Sequence, residues 1–393
     1  MPEFIRNIYR ISESEYSDDI SKTLNEPMAL HKSLPGYEPT PLVSLPSLAD
    51  FLGVGEILVK DESYRFGLKA FKVLGASYAI YKYFKQLFEQ MTGCLFTIEN
   101  FNESYIKEHT SPVPLCTATD GNHGRGVAHV ANLLGLKAYI YMPKGTVQAR
   151  IDNIVNEGAG VIIVNGDYDE AVERVKIDAE NHGWQIISDT AWEGYTEIPF
   201  WIQEGYATMF LEINQQLKEM GKNQPGIVFV PGGVGALAAA TMTFYSTPSN
   251  NAQRVCVEPT EAACLLEAVK LHHGEPKKTT GKLNSIMAGL NCGLPSITAW
   301  PIIRDRMDYF MTIEDEYAIK AMRQYYYPVG DDPRIISGES GASGLGALLA
   351  LIESDILEHA RKLLNIGRDS RILLLNTEGD TDPENFKRVV SQK

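Results

Sequence analysis

The sequence predicts an α/β fold of two lobes, each an open, mostly parallel sheet flanked by helices. Three observations carry that prediction. From Leu115 onward short apolar runs alternate with stretches of helical periodicity, the pattern left by βαβ units. A second series of the same kind runs from Gly226-Ile-Val-Phe-Val through Arg254-Val-Cys-Val257 to Arg371-Ile-Leu-Leu-Leu375. At 393 residues, with about 44% apolar and 22% charged positions, the chain can fill two hydrophobic cores.

Taken in order, Ile57-Leu-Val-Lys60 reads as a strand, and Lys72 opens a helix marked by Leu74, Tyr78, Tyr81 and Tyr83. The stretch Phe88 to Pro114 is mixed and polar, an elaborated helix pair at most. Leu115 to Ala118 leads into the glycine-punctuated turn Gly121 to Gly126, and helical spacing starts at Val127. Lys137–Met142 is the next strand, followed by a helix from Val147 to Glu157 that Gly158 ends. Val161–Val164, a helix from Tyr168 to Asn181, and the strand Trp184 to Ser188 complete this series. The expected division is a small lobe over 79–195 and a large lobe made of 1–78 with 196–393.

Composition excludes several classes of function. A formal charge of −14 repels nucleic acid and anionic membrane surfaces. No apolar run approaches the roughly 18–20 residues of a transmembrane helix, and the N-terminus lacks the basic-then-apolar order of a signal peptide. Cys94, Cys116, Cys256, Cys264 and Cys292 show no Cys-x-x-Cys spacing, so neither a disulfide framework nor a metal site is indicated. The expectation is a cytoplasmic protein that acts on a small molecule.

Three segments carry chemistry. Lys72, after the Ile57–Lys60 strand and at the start of an apolar helix, is poorly solvated, and a desolvated amine is a nucleophile toward carbonyls. Thr119-Asp-Gly-Asn-His-Gly-Arg-Gly126 sets glycines around Asn122 and His123 at a strand-to-helix turn, a place suited to the carboxylate of an amino acid. Alternatively Asp120 is a helix N-cap and His123 an exposed turn residue. Pro231-Gly-Gly-Val-Gly235 between a strand and a helix is a phosphate cradle. The same loop admits a rival reading. Gly233, Gly235 and Ala238 fit Gly-x-Gly-x-x-Gly/Ala, with Glu258 where a ribose-binding acid of an NAD-dependent oxidoreductase would sit.

The ordered set Ala70-Phe-Lys72-Val-Leu-Gly-Ala, Asp120-Gly-Asn-His-Gly-Arg-Gly and Gly232-Gly-Val-Gly235 resembles the fold-type-II pyridoxal-phosphate enzymes. Tyr37-Glu-Pro-Thr-Pro-Leu42 and Glu339-Ser-Gly-Ala342 extend the resemblance to residues 36–380. Arg65-Phe-Gly-Leu-Lys-Ala-Phe-Lys72, Asp189-Thr-Ala-Trp-Glu-Gly-Tyr195 and Asn376-Thr-Glu-Gly-Asp-Thr-Asp382 are similar to the diaminopropionate ammonia-lyase branch of that family. The NAD reading leaves Lys72 and the Asn122 loop without a role.

The resemblance implies two sheet domains with pyridoxal 5'-phosphate between them, a homodimer, and β-elimination of ammonia from L- and D-2,3-diaminopropionate to give pyruvate. A serine/threonine dehydratase is the alternative within the family. By the same resemblance Lys72, rather than Lys69, holds the cofactor through a Schiff base and exchanges protons at Cα. Phe71 stacks beside the ring, and Gly232, Gly233, Val234 and Gly235 bind the phosphate through their amides. Asn122 meets the phenolic oxygen and Thr377 the pyridine nitrogen. Asp120 stands where the dehydratases carry a small hydroxyl or neutral residue. A carboxylate there needs a counter-charge, which a second substrate amine would provide. Asp120 and Asp189 are therefore the expected further acids and bases. Asp189 can also be read as the N-cap of the next helix, and Glu193 is a further candidate.

Overall fold

The computed structural model describes residues 1–12, 25–119, 121–246, 250 and 252–391. By internal contacts the chain forms two compact units, one of residues 1–23, 39–64 and 209–393, the other of 24–38 and 65–208.

The first unit is built on a seven-stranded sheet. Its strands are β1 (Phe4–Arg6), β2 (Leu42–Ser44), β3 (Glu56–Asp61), β8 (Ile227–Pro231), β9 (Gln253–Pro259), β10 (Tyr309–Ile313) and β11 (Arg371–Asn376). The second holds a four-stranded sheet of β4 (Leu115–Ala118), β5 (Ala138–Pro143), β6 (Gly160–Val164) and β7 (Gln185–Ile186). The spatial orders are β1-β10-β9-β8-β11-β3-β2 and β6-β5-β4-β7. Only the outermost pairs of the larger sheet, β1 with β10 and β2 with β3, are antiparallel. The near-continuous apolar runs of β8 and β11, and the shorter Val255-Cys-Val257 of β9, are what a parallel strand covered on both faces requires.

The Lys72 helix spans Lys72–Thr92 and ends at Gly93, whose φ of 69° suits a C-terminal cap that donates its N–H to the Glu89 carbonyl. It lies wholly within the second unit, so the boundary expected at residue 78 falls inside one continuous helix. Phe88 to Pro114 resolves into the end of this helix, a short 3₁₀ turn at Ile98–Asn100 and a helix at Glu103–His109. The helix expected from Val127 begins earlier and covers Asn122–Leu133. Its first turns carry glycines because there is no room for more. A Cβ on Gly124 would lie 2.4 Å from Thr119 Cγ2, and one on Gly126 3.0 Å from the Val73 Cα. The Asn122 helix therefore touches the backbone of the first turn of the Lys72 helix. No helix among the described residues is long and apolar enough to cross a membrane.

Candidate active site

In the second unit the site grows from neighbouring parallel strand ends, β4 and β7. Lys72 Nζ donates to Asp189 Oδ2 at 2.5 Å. The amine is thus partly buried, its side chain 20% exposed, and it stands against a carboxylate that its own sequence context does not reveal. Asp189 follows β7 and does not cap a helix, since the next one spans Glu197–Gly205. Its position is fixed by Tyr195, whose hydroxyl donates to the Ile186 carbonyl (3.0 Å) and accepts from the Ser188 N–H (2.8 Å). Burial pushes the Asp189 carboxyl up, but the Lys72 ammonium, then His123 and hydrogen bonds, more than offset this and hold it at about 2.

His123 is buried, not an exposed turn residue. Its Nε2 donates to the Ile187 carbonyl at 2.7 Å, which leaves Nδ1 4.0 Å from Asp189 Oδ2. Asn122 opens the helix, partly exposed. Asp120 lies outside the described residues. Phe71 is buried with its ring centroid 4.7 Å from that of Tyr206 and 5.6 Å from Lys72 Nζ. Glu193 sits on the exposed tip of the Trp192–Tyr195 turn.

In the first unit the glycine loop leaves the C-terminal end of β8, and Thr377 the C-terminal end of the adjacent β11. Sites in open α/β sheets lie at such strand ends. Gly233 and Gly235 have φ values of 61° and 101°, and a Cβ on Gly232 would lie 2.7 Å from Glu258 Cγ. The loop differs in detail from four amides facing one phosphate. Gly232 donates its N–H to the Val257 carbonyl and Gly235 to the Gly232 carbonyl, so these two shape the turn. The Cys264 thiol holds the Gly233 carbonyl, and the Ser296 N–H holds that of Val234. In a trans peptide the N–H points away from the C=O, so the Val234 amide faces the opposite way. Together with the Gly233 amide and the first turn of the helix Ala236–Tyr245, this makes a cradle of donors. A phosphate group fits it.

Glu258 rules against the ribose-binding alternative. Its carboxyl is buried and accepts from the Leu265 and Leu266 N–H groups, and burial, partly offset by these, raises it to about 8. Thr377 is buried beside Asn376, whose side-chain amide donates to Asp61 and whose oxygen accepts from Ser337. This hydrogen-bonded base fixes the strand end from which Thr377 is presented.

In the second unit a partly buried lysine is paired with a carboxylate, and in the first a glycine loop offers amides suited to a phosphate group. The chain belongs to the pyridoxal-phosphate dependent enzyme family, whose pattern it matches over residues 34–377. Within that family it is 40% identical to the diaminopropionate ammonia-lyase of Salmonella typhimurium, over 99% of this chain and 98% of that one. The crystal structure of the Escherichia coli diaminopropionate ammonia-lyase with an aminoacrylate-PLP azomethine reaction intermediate superposes with a TM-score of 0.88. It is 39% identical and covers 99% of this chain and 97% of that one. The same E. coli enzyme in complex with D-serine gives a TM-score of 0.89 at the same identity and coverage. The α/β architecture expected from the sequence and the pyridoxal-phosphate cofactor both hold.

His123, Tyr195 and Arg125 were not singled out from the sequence as site residues. His123 and Arg125 stood inside the quoted Gly-Asn-His-Gly-Arg-Gly motif, and Tyr195 closed the Asp189 motif, so the signal was there without a geometry to assign it.

Proposed function

We propose that the protein is a carbon–nitrogen lyase that converts 2,3-diaminopropionate, in its L and D forms, and one water into pyruvate and two ammonia. The observation that carries this reading is the Lys72–Asp189 pair, an amine held at 2.5 Å by a carboxylate that stays ionised. It is supported by similarity to diaminopropionate ammonia-lyases along nearly the whole chain.

When bound, pyridoxal phosphate supplies an aldehyde for amines and a ring that withdraws electrons from the substrate's Cα. Lys72 would hold that aldehyde, with Phe71 against the ring. Asn122 would donate to the phenolic oxygen, and Thr377 would face the pyridine nitrogen. The Gly232-Gly233-Val234-Gly235 loop would take the phosphate, mainly through the Gly233 and Val234 amides. Lys72 and Asp189 would move the proton at Cα of the L substrate, and Asp120 that of the D substrate. The departing β-amine leaves well only when protonated, and a second carboxylate in the site would keep it so.

The enzyme would work as a homodimer in the cytoplasm, in keeping with its acidic charge and with five cysteines present as thiols. The test is a pyruvate or 2-oxobutyrate assay on L- and D-diaminopropionate, serine and threonine. Faster turnover of threonine than of diaminopropionate would overturn the assignment in favour of a dehydratase.

A further inference from the structure

The approach to Lys72 is bent in a way its residues resist. Phe66, Gly67 and Lys69 have φ values of 49°, 69° and 59°. Glycine adopts this left-handed region freely, but a phenylalanine and a lysine do so only when something holds them there. The intervening Leu68 is buried and donates its N–H to the Arg65 carbonyl at 2.8 Å. Its own carbonyl accepts from Arg125 Nη1 at 3.0 Å.

Arg125 lies on the Asn122 helix, and its guanidinium is fixed in turn. Both Nε and Nη2 donate to Glu157 Oε1 at 3.1 Å, and Glu157 Oε2 pairs with His129 Nδ1 at 2.8 Å. The His129 ring lies 6.4 Å from the ring of Phe66, one of the two left-handed residues. All four groups are wholly or partly buried. A planar fork serves Leu68 and Glu157 at once in a fixed geometry, which a lysine's compact, rotatable ammonium does not preserve.

We propose that Arg125, locked by Glu157 and His129, is a positioning residue for the reaction. It clamps the Leu68 carbonyl, holds the strained 66–69 turn in place, and so fixes where the Lys72 amine stands relative to Asn122 on the same helix. This rests on the reading of Lys72 as the cofactor-bearing lysine. The clamp itself is a statement about the turn.

The test uses the holoenzyme and begins with the wild type on diaminopropionate. If the wild type does not turn this substrate over, the functional reading fails, while amide exchange still tests the clamp. Arg125→Met keeps the apolar stem and removes every donor. Amide hydrogen exchange over residues 66–71 is expected to accelerate about tenfold or more, with the rest of the unit unchanged. The kcat on diaminopropionate is expected to fall about 10–100-fold with KM within about threefold, the pattern of a misplaced reacting group. Arg125→Lys should fall between wild type and Arg125→Met. Glu157→Gln, which keeps an acceptor but loses the charge and the His129 pair, should show a smaller change of the same kind and serves if Arg125→Met does not fold. Unchanged exchange at 66–71, a kcat within twofold of wild type, or a loss of activity matched by faster exchange throughout the unit would each overturn the proposal.

Discussion

Replacing Asp189 by asparagine tests the proposed division of labour at the site most directly. The side chain keeps its size and can still accept from Lys72, so the change removes charge and basicity and little else. A pKa held at about 2, below the usual carboxyl value of 3.8, means that its surroundings favour the carboxylate. That preference is on the order of 2 kcal/mol. The group is therefore fully ionised across the physiological range, and its replacement forfeits the whole of its action as a base. Such losses run about 10²–10⁴-fold. Lys72 at 2.5 Å and His123 at 4.0 Å from the same oxygen can carry part of the proton traffic. The expected loss in kcat/KM on L-diaminopropionate is therefore in the lower part of that range, about 10²–10³-fold. The D enantiomer presents its Cα proton to the opposite face and should lose less than about tenfold. Asp120→Asn should show the reverse preference. Pyruvate release on both enantiomers between pH 6 and 9 is the assay. Equal losses on the two enantiomers from Asp189→Asn would refute the two-base reasoning and leave Asp189 a partner of Lys72 only.

Three further predictions follow from single contacts. Gly75→Ala puts a Cβ 2.6 Å from Ile202 Cγ2, 2.8 Å from Tyr206 Cε1 and 2.9 Å from the Ile202 carbonyl oxygen. It should cost about 1–3 kcal/mol in urea unfolding and lower kcat by displacing the Lys72 turn; an unaltered kcat would show that the helix absorbs the shift. Glu258 has a folded pKa raised from 4.5 to about 8, so the folded state holds a proton that the unfolded state releases. Wild-type stability should therefore fall as pH rises from about 4.5 to about 8, and Glu258→Gln should flatten that slope in a thermal-melting series. Lys60 and Glu212 are fully buried and paired at 2.7 Å, so Lys60→Met alone should cost about 3–5 kcal/mol by stranding a carboxylate. Adding Glu212→Gln should recover part of it, and a double variant no more stable than the single one would contradict this account.

How much of this was legible in the sequence depends on how local each constraint is. The 232–235 loop could be read because a left-handed φ at Gly233 and Gly235 and a Cβ-free approach at Gly232 are demands that glycine alone meets. The larger parallel sheet could be read because β8 and β11, and the Val255-Cys-Val257 centre of β9, are apolar without alternation. The start of the Asn122 helix was missed because Gly124 and Gly126 weaken helical propensity; their reason is close packing against Thr119 and Val73, which lies outside the local pattern. Side-chain direction was not legible either. Glu258 has the spacing of a ribose-binding acid, yet its carboxyl turns inward onto Leu265 and Leu266.

The Lys72–Asp189 pair joins groups 117 residues apart, and it alters the chemistry inferred from either alone. A lysine read only as desolvated would be expected to act as a neutral amine, and an aspartate at a strand end as a helix cap. Together they form a part-buried pair in which burial and opposite charge act in opposition on Asp189, and the charge prevails. Any event that removed the lysine's charge would leave the burial effect less opposed and strengthen the carboxylate as a base. With Lys72 as the proposed cofactor-bearing lysine, the pair would couple the charge of that amine to the base strength of Asp189. Activation of the base needs no movement of Asp189, and Tyr195 holds the strand end from which Asp189 follows at both Ile186 and Ser188. Tyr195→Phe should loosen that hold and cut turnover of the L enantiomer more than that of the D enantiomer in the same pyruvate assay. A variant with both rates unchanged would show that the strand end stays in place without it.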